Sequence, residues 1–578
     1  MKRLSLFVSV LTLGGTLAAA GAGASLPPRE PARAPVAPDP AAVHTLGGPA
    51  TMGGAVHLDL RTVPTSDPSK RPGPPRGHAQ GEYLEGQPGH ASTAGRADAT
   101  EHPLPADLVA AAYGRGDGPD APGDILHNFT GQGASGWLPP DPVLAVGPRY
   151  IVEIVNSGFT VFSKDGGLDR AYTDLETFFA PLQPGLPDPW NANSFVFDPR
   201  VIYSPEHGKF VIFALARDDN NQNSYLFFAI SSTSDPLGGW LLYWYWDPFN
   251  QDAWIDYSGM SADAFGLYFT GNEFFWAGGF KHSIVYSIRP GIFTNTDGSG
   301  WIFWGLTWNE PGNPQVFEIQ PAVPHSIAGG SETFFVNTFN SSGDKACLWE
   351  LTGDRGNAPT LIRNSVTVAA YADPGVAAQP GAALDDIEMF YAGALGAAYN
   401  QRKLFFGLND DNANGASFYV SKVDVDTLTQ DLARNLGTTD VYYYYPAVGL
   451  TTGVDVFNPL VGVTMTWSSN SQFASGAFKV FDNFSVDAAG AFWNVAGGSD
   501  TYNVYFNGRN RWGDYMGIHR DWSCGTIWGV TQFAPAFNVW GTQITELAGQ
   551  AALPLACRLI FDDGFERSST LNWSFTAP

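Results

Sequence analysis

The sequence predicts an all-β protein, a seven-bladed β-propeller whose last blade is closed by an N-terminal strand, on the basis of three observations. Of the 578 residues, 66 are Gly, 42 are Pro and 14% are aromatic, whereas only 15% are charged. This composition is typical of a turn-rich β protein. A pair of β-rich runs recurs seven times along the chain, and several repeats contain an Asp-Gly turn, which favours a hairpin.

Each repeat begins at an anchor, usually an aspartate beside a hydrophobic run, and a second β-rich run follows. The anchors stand at positions 141, 198, 256, 320, 386, 445 and 514, between 57 and 69 residues apart. Most repeats continue with a third run and some with a fourth. Four antiparallel strands repeated seven times predict a propeller over residues 124–557. An unrelated series of hairpins in a β-sandwich is the alternative.

The last repeat lacks a fourth strand, because its third run, Asn538–Thr545, is followed by no further one. A strand without a repeat of its own, Asp124–Thr130, precedes the first anchor. We therefore expect residues 124–130 to supply the outer strand of the last blade, which would remove the open edge of the ring.

The N-terminus has the pattern of a secretory signal peptide over residues 1–24. Lys2 and Arg3 precede an apolar run that ends in small residues. A membrane anchor is the alternative, but the run is short for a span. Residues 25–123 are rich in Pro, Ala and Gly and predict a flexible segment with one short helix at Leu108–Ala112, or else a cleaved pro-peptide.

The charge balance limits the classes of partner and the location. With 56 acidic and 31 basic side chains the formal net charge is −25. Nucleic-acid binding requires Lys and Arg to displace counterions, so this class is excluded. Apart from the leader, no stretch is long and apolar enough to span a bilayer. We expect a secreted protein, extracellular or periplasmic.

The three cysteines are Cys347, Cys524 and Cys557. Cys524 opens the second strand of the last repeat and Cys557 follows its third strand. We expect a Cys524–Cys557 disulfide that holds the C-terminal end to the ring, because an exported chain reaches an oxidising compartment. Cys347 is expected to be a buried small hydrophobic residue.

Two motifs carry a resemblance to known proteins. Asn510-Arg-Trp-Gly-Asp-Tyr515, with Cys524-Gly-Thr-Ile-Trp528 and Trp540-Gly-Thr-Gln-Ile544, resembles the last blade of a family of exported bacterial propeller proteins. This resemblance implies fold and export, not an activity. Phe561-Asp-Asp-Gly-Phe-Glu566 in the segment 558–578 resembles a short C-terminal tail of many exported bacterial proteins, for which sorting or surface display is a hypothesis.

In a propeller, the loops that enter the innermost strands share one face with the loops between second and third strands. The aspartates predicted on this face are Asp141, Asp198, Asp256, Asp386 and Asp514. A convergent acidic ring suits a metal ion or acid/base chemistry on a glycan. The alternative is structural: each Asp accepts hydrogen bonds from turn backbone and attaches one blade to the next. Because five equivalent carboxylates exceed what catalysis needs, the repetition favours the structural interpretation.

Two sets of candidate residues follow from this placement. If the protein is an enzyme, we expect the catalytic carboxylates to be Asp198, Asp256 and Glu273. Aromatic and polar side chains that could hold a substrate lie on the same predicted face: Arg217, Asn272, Phe274 and Trp276. Phe274 and Trp276 belong to a loop that suits an exposed platform for a sugar ring, although most aromatic residues of a propeller are core.

Asp410 and Asp411 belong to an oxygen-rich loop, Asn409–Gly415, whose ligands suit Ca²⁺. No certain cofactor is predicted, since the loop does not match an EF-hand and a solvated turn is the default interpretation. The sequence therefore predicts a secreted or surface-exposed propeller that binds a glycan or a protein. The alternative is a polysaccharide-degrading enzyme, a hydrolase or lyase.

Overall fold

The structure, a computed structural model, is all-β, as predicted. It describes residues 43–47, 55–67, 123–247, 252–294, 301–306, 314, 316–325, 333–355, 358–381, 386–389, 391–412, 415–451, 459–481, 492–506 and 509–549. Three strands precede the repeats: β1 (Val43–Gly47), β2 (Val56–Asp59) and β3 (Ile125–Gly133). A single 3-10 turn, Leu60–Thr62, follows β2, and the Asp59 side chain caps it by accepting from Arg61 N.

The first three sheets are antiparallel and take their strands in chain order. Sheet 1 contains β4 (Val143–Val146), β5 (Tyr150–Val155), β6 (Gly158–Ser163) and β7 (Leu168–Asp174). A short helix α1 (Leu175–Phe179) and a 3-10 segment (Ala180–Gly185) lead to sheet 2, which contains β8 (Ser194–Ser204), β9 (Lys209–Asp218), β10 (Asn223–Ser231) and β11 (Gly239–Trp246). Sheet 3 contains β12 (Ala253–Asp263), β13 (Gly266–Phe275), β14 (Phe280–Ile288) and β15 (Trp301–Leu306), with a 3-10 turn at Pro290–Phe293.

Four further sets of strands complete the described fold. Sheet 4 contains β16 (Gln320–Pro324), β17 (Thr333–Thr338), β18 (Gly343–Asp354) and β19 (Ala358–Tyr371). A two-stranded ribbon of β20 (Val376–Ala377) and β21 (Ile387–Glu388) precedes sheet 5, which contains β22 (Ala394–Asn400), β23 (Lys403–Asn412), β24 (Gly415–Asp424) and β25 (Thr429–Leu436). Sheet 6 contains β26 (Val441–Leu450), β27 (Val461–Ser469), β28 (Gln472–Phe481) and β29 (Phe492–Ala496). After a ribbon of β30 (Tyr505–Phe506) and β31 (Arg509–Asn510), sheet 7 contains β32 (Ile518–Arg520), β33 (Ile527–Ala536) and β34 (Val539–Leu547).

The fourth strand of sheet 7 comes from the other end of the repeats. β3 pairs antiparallel with β34, with Phe129 opposite Ile544 and Ile125 opposite Leu547. The pairing predicted for residues 124–130 is therefore present. β34 is the last strand of the described residues, and β3 pairs along the edge of β34 opposite β33.

The first strands of the seven sheets contact one another in a cycle. β4 contacts β8, and the contacts continue through β12, β16, β22, β26 and β32 back to β4. One of these contacts is a parallel hydrogen-bonded pairing of β16 with β22, which joins sheets 4 and 5. Neighbouring sheets cover both faces of the inner strands, so several of these are buried along their whole length. Every residue of β8 is buried, for example, whereas no residue of the outer strand β25 is buried.

The structure corrects two sequence predictions. Asp386, the predicted anchor of the fifth repeat, adjoins the ribbon strand β21, and the first strand of sheet 5 is β22 instead. The segment 25–123 was predicted to be flexible, but β1 pairs with β15 and β2 pairs with β11 at the outer edges of sheets 3 and 2. Such strands are short and only weakly patterned, so an available sheet edge, not their own composition, orders them.

Other predictions fall partly outside the described residues. The signal peptide 1–24, the helix at Leu108–Ala112, Cys557 and the tail 558–578 lie there, so the Cys524–Cys557 bridge stays a prediction. Cys347 is fully buried, as expected. Within the described part of the chain, no helix has the length and hydropathy needed to cross a membrane.

Candidate functional site

The predicted catalytic carboxylates Asp198 and Asp256 lie together in the first half of β8 and of β12. Both accept a hydrogen bond from the same amide, Tyr257 N, at 3.1 Å and 2.9 Å. Their side chains also hydrogen-bond each other, and burial, followed by the neighbouring Asp198 carboxylate, raises the pKa of Asp256 well above its usual value. A hydrogen bond between two carboxyl groups requires a shared proton, so the pair acts as one buried acid.

This arrangement recurs between sheets. In several sheets a residue inside or just before the first strand has a left-handed backbone, with φ between 44° and 54°, and its amide binds a side chain of the preceding sheet. These side-chain acceptors, each followed by the amide it binds, are Asn156 with Asp198, Asp198 with Tyr257, Asn272 with Glu318, and Asn409 with Tyr445. The structural interpretation therefore holds for Asp198, whereas the other three acceptors are asparagines and not the predicted anchor aspartates.

Asn272, predicted to bind substrate, belongs to this set. Its Oδ1 accepts from Ser283 Oγ at 2.7 Å and from Glu318 N at 3.1 Å, and the side chain is fully buried. It therefore connects sheet 3 to the entry of sheet 4.

Glu273 does not join Asp198 and Asp256. Adjacent residues of a strand point to opposite faces, and Asn272, directly before Glu273, is the residue paired with Asp256 in the register of β12 and β13. The Glu273 carboxylate instead lies 3.9 Å from Lys281 Nζ and 3.5 Å from His282 Nε2. Burial, followed by the adjacent Asp247 carboxylate, raises the pKa of Glu273 well above its usual value. The three predicted catalytic carboxylates thus form two separate clusters.

Arg217 lies in an aromatic setting between sheets 2 and 3. Its guanidinium carbon is 3.8 Å from the centre of the Trp254 ring and 5.0 Å from that of Trp276. Its Nε donates to Asp219 Oδ1 at 2.6 Å. Cation–π stacking and the ion pair hold the guanidinium in one orientation. We refer to Arg217, Asp219, Trp276 and the neighbouring Phe275 as the aromatic groove.

The predicted platform loop is shifted by one residue. Phe274 is only 3% exposed and packs in the core, whereas Phe275 is 38% exposed and Trp276 is half-buried. Alternation along β13 explains the difference, since only one of two adjacent side chains can face solvent. Phe275 also has Lys281 Nζ 5.7 Å from its ring centre.

Asp410 and Asp411, the predicted metal ligands, are placed at the end of β23. The Asp410 carboxylate accepts from Ala372 N at 2.6 Å, from Asp411 N at 2.8 Å and from the Asn435 amide. Burial raises the pKa of Asp410 to about 6. In the described ranges, no three His, Cys, Asp or Glu side chains are arranged to hold a metal ion. Residues 413 and 414 of this loop lie outside those ranges.

A second polar cluster combines Asp141 and Asp514 of the predicted acidic ring with Arg511 and Tyr515, which were not predicted as site residues. Arg511 Nη2 binds both carboxylate oxygens of Asp514 at 2.6 Å, and Asp514 N donates to Asp141 Oδ1 at 2.7 Å. The Arg200 guanidinium carbon lies 3.2 Å from the centre of the Tyr515 ring. Arg511, Asp514 and Tyr515 belong to the Arg-Trp-Gly-Asp-Tyr element, which carries the resemblance to exported propeller proteins.

Comparison with known proteins gives no assignment. No family model and no curated protein matches the chain. The endosialidase of phage phi92 is 8% identical with a TM-score of 0.37, and the match covers 73% of this chain and 68% of that one. Trypanosoma rangeli sialidase in complex with sialic acid is 10% identical with a TM-score of 0.34; the match covers 61% of this chain and 54% of that one, little more than half its length. Drosophila plexin A in complex with semaphorin 1b is 7% identical, with a TM-score of 0.32 and coverage of 74% and 88%. Similarity at these scores does not establish a shared activity.

Proposed function

We propose that the chain is an exported seven-bladed β-propeller that acts as a binding module for a glycan or a protein. The cycle of contacts among the seven first strands supports a closed ring, and the pairing of β3 with β34 supports closure of the last blade by an N-terminal strand. Export rests on the predicted signal peptide.

The contacts of the predicted catalytic carboxylates favour a binding module over a hydrolase. Glycoside hydrolysis employs two carboxyl groups about 5 to 9.5 Å apart on either side of the scissile bond. Asp198 and Asp256 hydrogen-bond each other and share the Tyr257 amide, so no sugar ring fits between them. Glu273 is fully buried in another cluster. We therefore place the hydrolase or lyase second.

The ligand surface that we propose is the aromatic groove. The observation that carries the proposal is the stacking of Arg217 against Trp254 and Trp276 with its Nε bound to Asp219. Sugar rings stack on accessible aromatic side chains and take hydrogen bonds from fixed polar groups. Phe275 is 38% exposed and Trp276 is half-buried, whereas Arg217 is only 5% exposed and packs against Trp276. Asn220, Asn221 and Gln222 are exposed on the adjoining β9–β10 turn and add adaptable donors and acceptors.

The test is a polysaccharide panel examined for binding and for products. We expect retention of a subset of polysaccharides in affinity electrophoresis, without release of reducing ends or unsaturated products, with or without chelator. Trp276→Ala should weaken binding at least tenfold, or about 1.4 kcal/mol. Trp522→Ala is the matched control, because Trp522 also packs against an arginine, Arg520, at 4.5 Å, but follows β32 at the opposite end of the first strands.

Each outcome of this test distinguishes between a binding module and an enzyme, or between the aromatic groove and another surface. Equal losses in the two variants would contradict the aromatic groove as the surface. Products from any polysaccharide, abolished by Asp198→Asn, would favour the enzyme. A purified protein ligand whose binding depends on Trp276 would support the module and assign its partner class.

A further inference from the structure

The end of sheet 2 beside the aromatic groove carries a row of four asparagines. Asn191 and Asn193 lie in the loop that precedes β8, and Asn220 and Asn221 lie in the β9–β10 turn. Asn220 Nδ2 donates to Asn191 Oδ1 at 3.1 Å, and Asn193 Nδ2 donates to Asn220 Oδ1 at 2.8 Å. We refer to these four residues as the amide row. It borders the groove directly, because Asp219 N donates to Asn193 O at 3.4 Å.

The amide row is held in place by Asp218. The Asp218 Oδ2 atom accepts from Asn191 Nδ2 at 2.8 Å and from Asn221 Nδ2 at 2.7 Å, and Oδ1 accepts from Asn220 N at 3.0 Å. Asp218 is buried, whereas Asn220 and Asn221 are exposed. Each side-chain amide has two donors and two acceptor lone pairs, more than the bonds of Asn193, Asn220 and Asn221 use. A buried carboxylate therefore presents ordered amides to an outside ligand.

Two half-buried tryptophans, Trp190 and Trp246, lie on the opposite face of sheet 2 from the groove. Both pack against the apolar cluster that sheet 2 forms with sheet 1, and Trp246 stacks on Tyr225 with 5.0 Å between ring centres. Burial, followed by the Asp188 and Asp218 carboxylates, raises the pKa of Tyr225, so the Tyr225 hydroxyl lies near the carboxylate that holds the amide row. We refer to Trp190 and Trp246 as the outer tryptophans. They provide a second aromatic surface next to the amide row.

The aromatic groove, the amide row and the outer tryptophans together extend across sheet 2. Trp246 ends β11, the fourth strand, whereas Arg217 lies on β9 and Trp276 follows β13 of the next sheet. Adjacent strands are about 4.8 Å apart, so the four strands of sheet 2 alone span about 14 Å. One sugar ring can contact only one of the three elements at a time. A chain of several sugar units can contact all three.

The charges of this surface disfavour an anionic ligand. Two basic side chains border the groove, and each is paired with a carboxylate: Arg217 Nε with Asp219 at 2.6 Å, and Lys281 Nζ with Asp252 at 3.0 Å. Asp218 adds a further negative charge, because its hydrogen-bond partners are amides. The surface therefore repels a carboxylated or sulfated chain.

We propose that this surface binds a neutral polysaccharide, whose sugar units stack on the aromatic groove and on the outer tryptophans while its hydroxyl groups hydrogen-bond to the amide row. Aromatic rings accept the apolar faces of sugars, and amides both donate to and accept from hydroxyl groups. The assignment rests on the proposed binding function and narrows its ligand from a glycan or a protein to an uncharged chain of several sugar units. It also extends the binding surface beyond the groove to Trp190 and Trp246.

The experiment compares neutral and anionic polysaccharides of the same backbone, using the purified protein in affinity electrophoresis and calorimetry. The pairs are hydroxyethylcellulose with carboxymethylcellulose, dextran with dextran sulfate, and methyl-esterified pectin with polygalacturonate; glucomannan, galactomannan and xylan extend the neutral set. We expect at least one neutral polymer to bind about tenfold or more tightly than any anionic polymer and than its own disaccharide. An anionic polymer as the tightest ligand, or retention of no polysaccharide at all, overturns the proposal.

Two variants test the parts of the surface that lie beyond the groove. Trp190→Ala should weaken binding of the neutral polymer about tenfold, because it removes one stacking surface, whereas the half-buried Trp522→Ala control should bind as wild type does. Asn220→Ala should weaken binding about threefold or more, because Asn220 connects Asn191 to Asn193 in the amide row. Since Asn220 is exposed, this variant keeps the test available if Trp190→Ala does not fold.

The outcomes separate this proposal from the proposed function. If Trp276→Ala abolishes binding while Trp190→Ala and Asn220→Ala bind as wild type does, the binding module stands and the extended surface is overturned. A protein ligand that needs Trp276, with no polysaccharide retained, would likewise overturn the neutral chain and leave the binding module in place.

Discussion

Asn156 and Asp198 hydrogen-bond each other in both directions across the boundary between sheets 1 and 2. Asn156 Oδ1 accepts from Asp198 N at 3.1 Å, and Asn156 Nδ2 donates to Asp198 Oδ1 at 3.3 Å. The pair fixes an aspartate whose φ is +44°, a value that few non-glycine residues adopt without a local hydrogen bond. The carboxylate of Asp198 is thereby directed to the amide of Tyr257 in sheet 3.

Asn156→Ala should therefore destabilise the protein by about 2 to 3 kcal/mol, since it removes the acceptor of the buried Asp198 amide and one of the donors to the Asp198 carboxylate. Urea unfolding measures the change. Asn220→Ala, on an exposed turn, should change stability by less than about 0.5 kcal/mol. A similar small change in Asn156→Ala would show that water replaces the pair and that the boundary does not depend on it.

A buried glutamate predicts a pH dependence. Glu153 accepts from Gln132 N at 2.9 Å and from Thr542 Oγ at 2.5 Å, and burial raises its pKa to about 7 from an ordinary value near 4.5. The folded state then favours the protonated carboxyl, so this contribution to stability is complete below pH 4.5 and is lost as the pH rises through 7. Glu153→Gln should raise the free energy of unfolding by about 3 kcal/mol at pH 8 and change it little at pH 4.5.

Urea titrations of wild type and Glu153→Gln at the two pH values measure this difference. The amide can accept from Gln132 N and donate to Thr542 Oγ, so the variant keeps the hydrogen bonds of the protonated acid. An equal effect at both pH values would mean that Glu153 is not protonated in the folded state.

Two buried histidines predict the opposite dependence of stability on pH. His325 Nδ1 lies 2.8 Å from Leu450 O, and burial lowers the pKa of His325 to about 3 and that of His519 to about 4. A lowered pKa gives stability that is complete above the unfolded value of about 6.5 and is lost as the pH falls. His325→Gln should therefore lower the free energy of unfolding by about 3 kcal/mol less at pH 4 than at pH 7. Chemical denaturation at both pH values checks this, and a cost that does not change with pH would contradict it.

The repeat could be predicted from the sequence because many of its strands are nearly continuous apolar runs, which follow from burial on both faces. The candidate functional site could be predicted only in part, for two reasons. Asp198 and Asp256 were predicted correctly to lie together, but the alternation of β13 sends Glu273 away from them and exposes Phe275 in place of Phe274. Asn156, which binds Asp198, and Glu318, whose amide binds Asn272, belong to neighbouring sheets, and these pairings depend on register that no local pattern specifies.

The N-terminal strands are the clearest case of order imposed by tertiary context. Nothing in the composition of residues 43–63 predicts them, yet Leu60 is fully buried and its amide donates to Gly238 O at 2.9 Å. Arg170 Nη2 donates to Val63 O at 2.6 Å, and Ser66 N donates to Tyr172 O at 2.8 Å, so the segment passes from the edge of sheet 2 to sheet 1. We expect it to remain bound in the mature protein.

Leu60→Ala tests this attachment. Truncation of a fully buried leucine costs about 2 to 5 kcal/mol, whereas truncation in a flexible segment costs nothing. Limited proteolysis supplies a second measurement, because cleavage within residues 68–122 should leave a fragment that contains Leu60 and co-purifies with the sheets. Arg61→Ala is the neighbouring control: its ion pair with Asp59 is exposed and should contribute less than about 1 kcal/mol. If Leu60→Ala unfolds at the same denaturant concentration as wild type and the fragment dissociates, residues 43–63 do not contribute to stability. The interpretation of this segment as a cleaved pro-peptide would then be favoured.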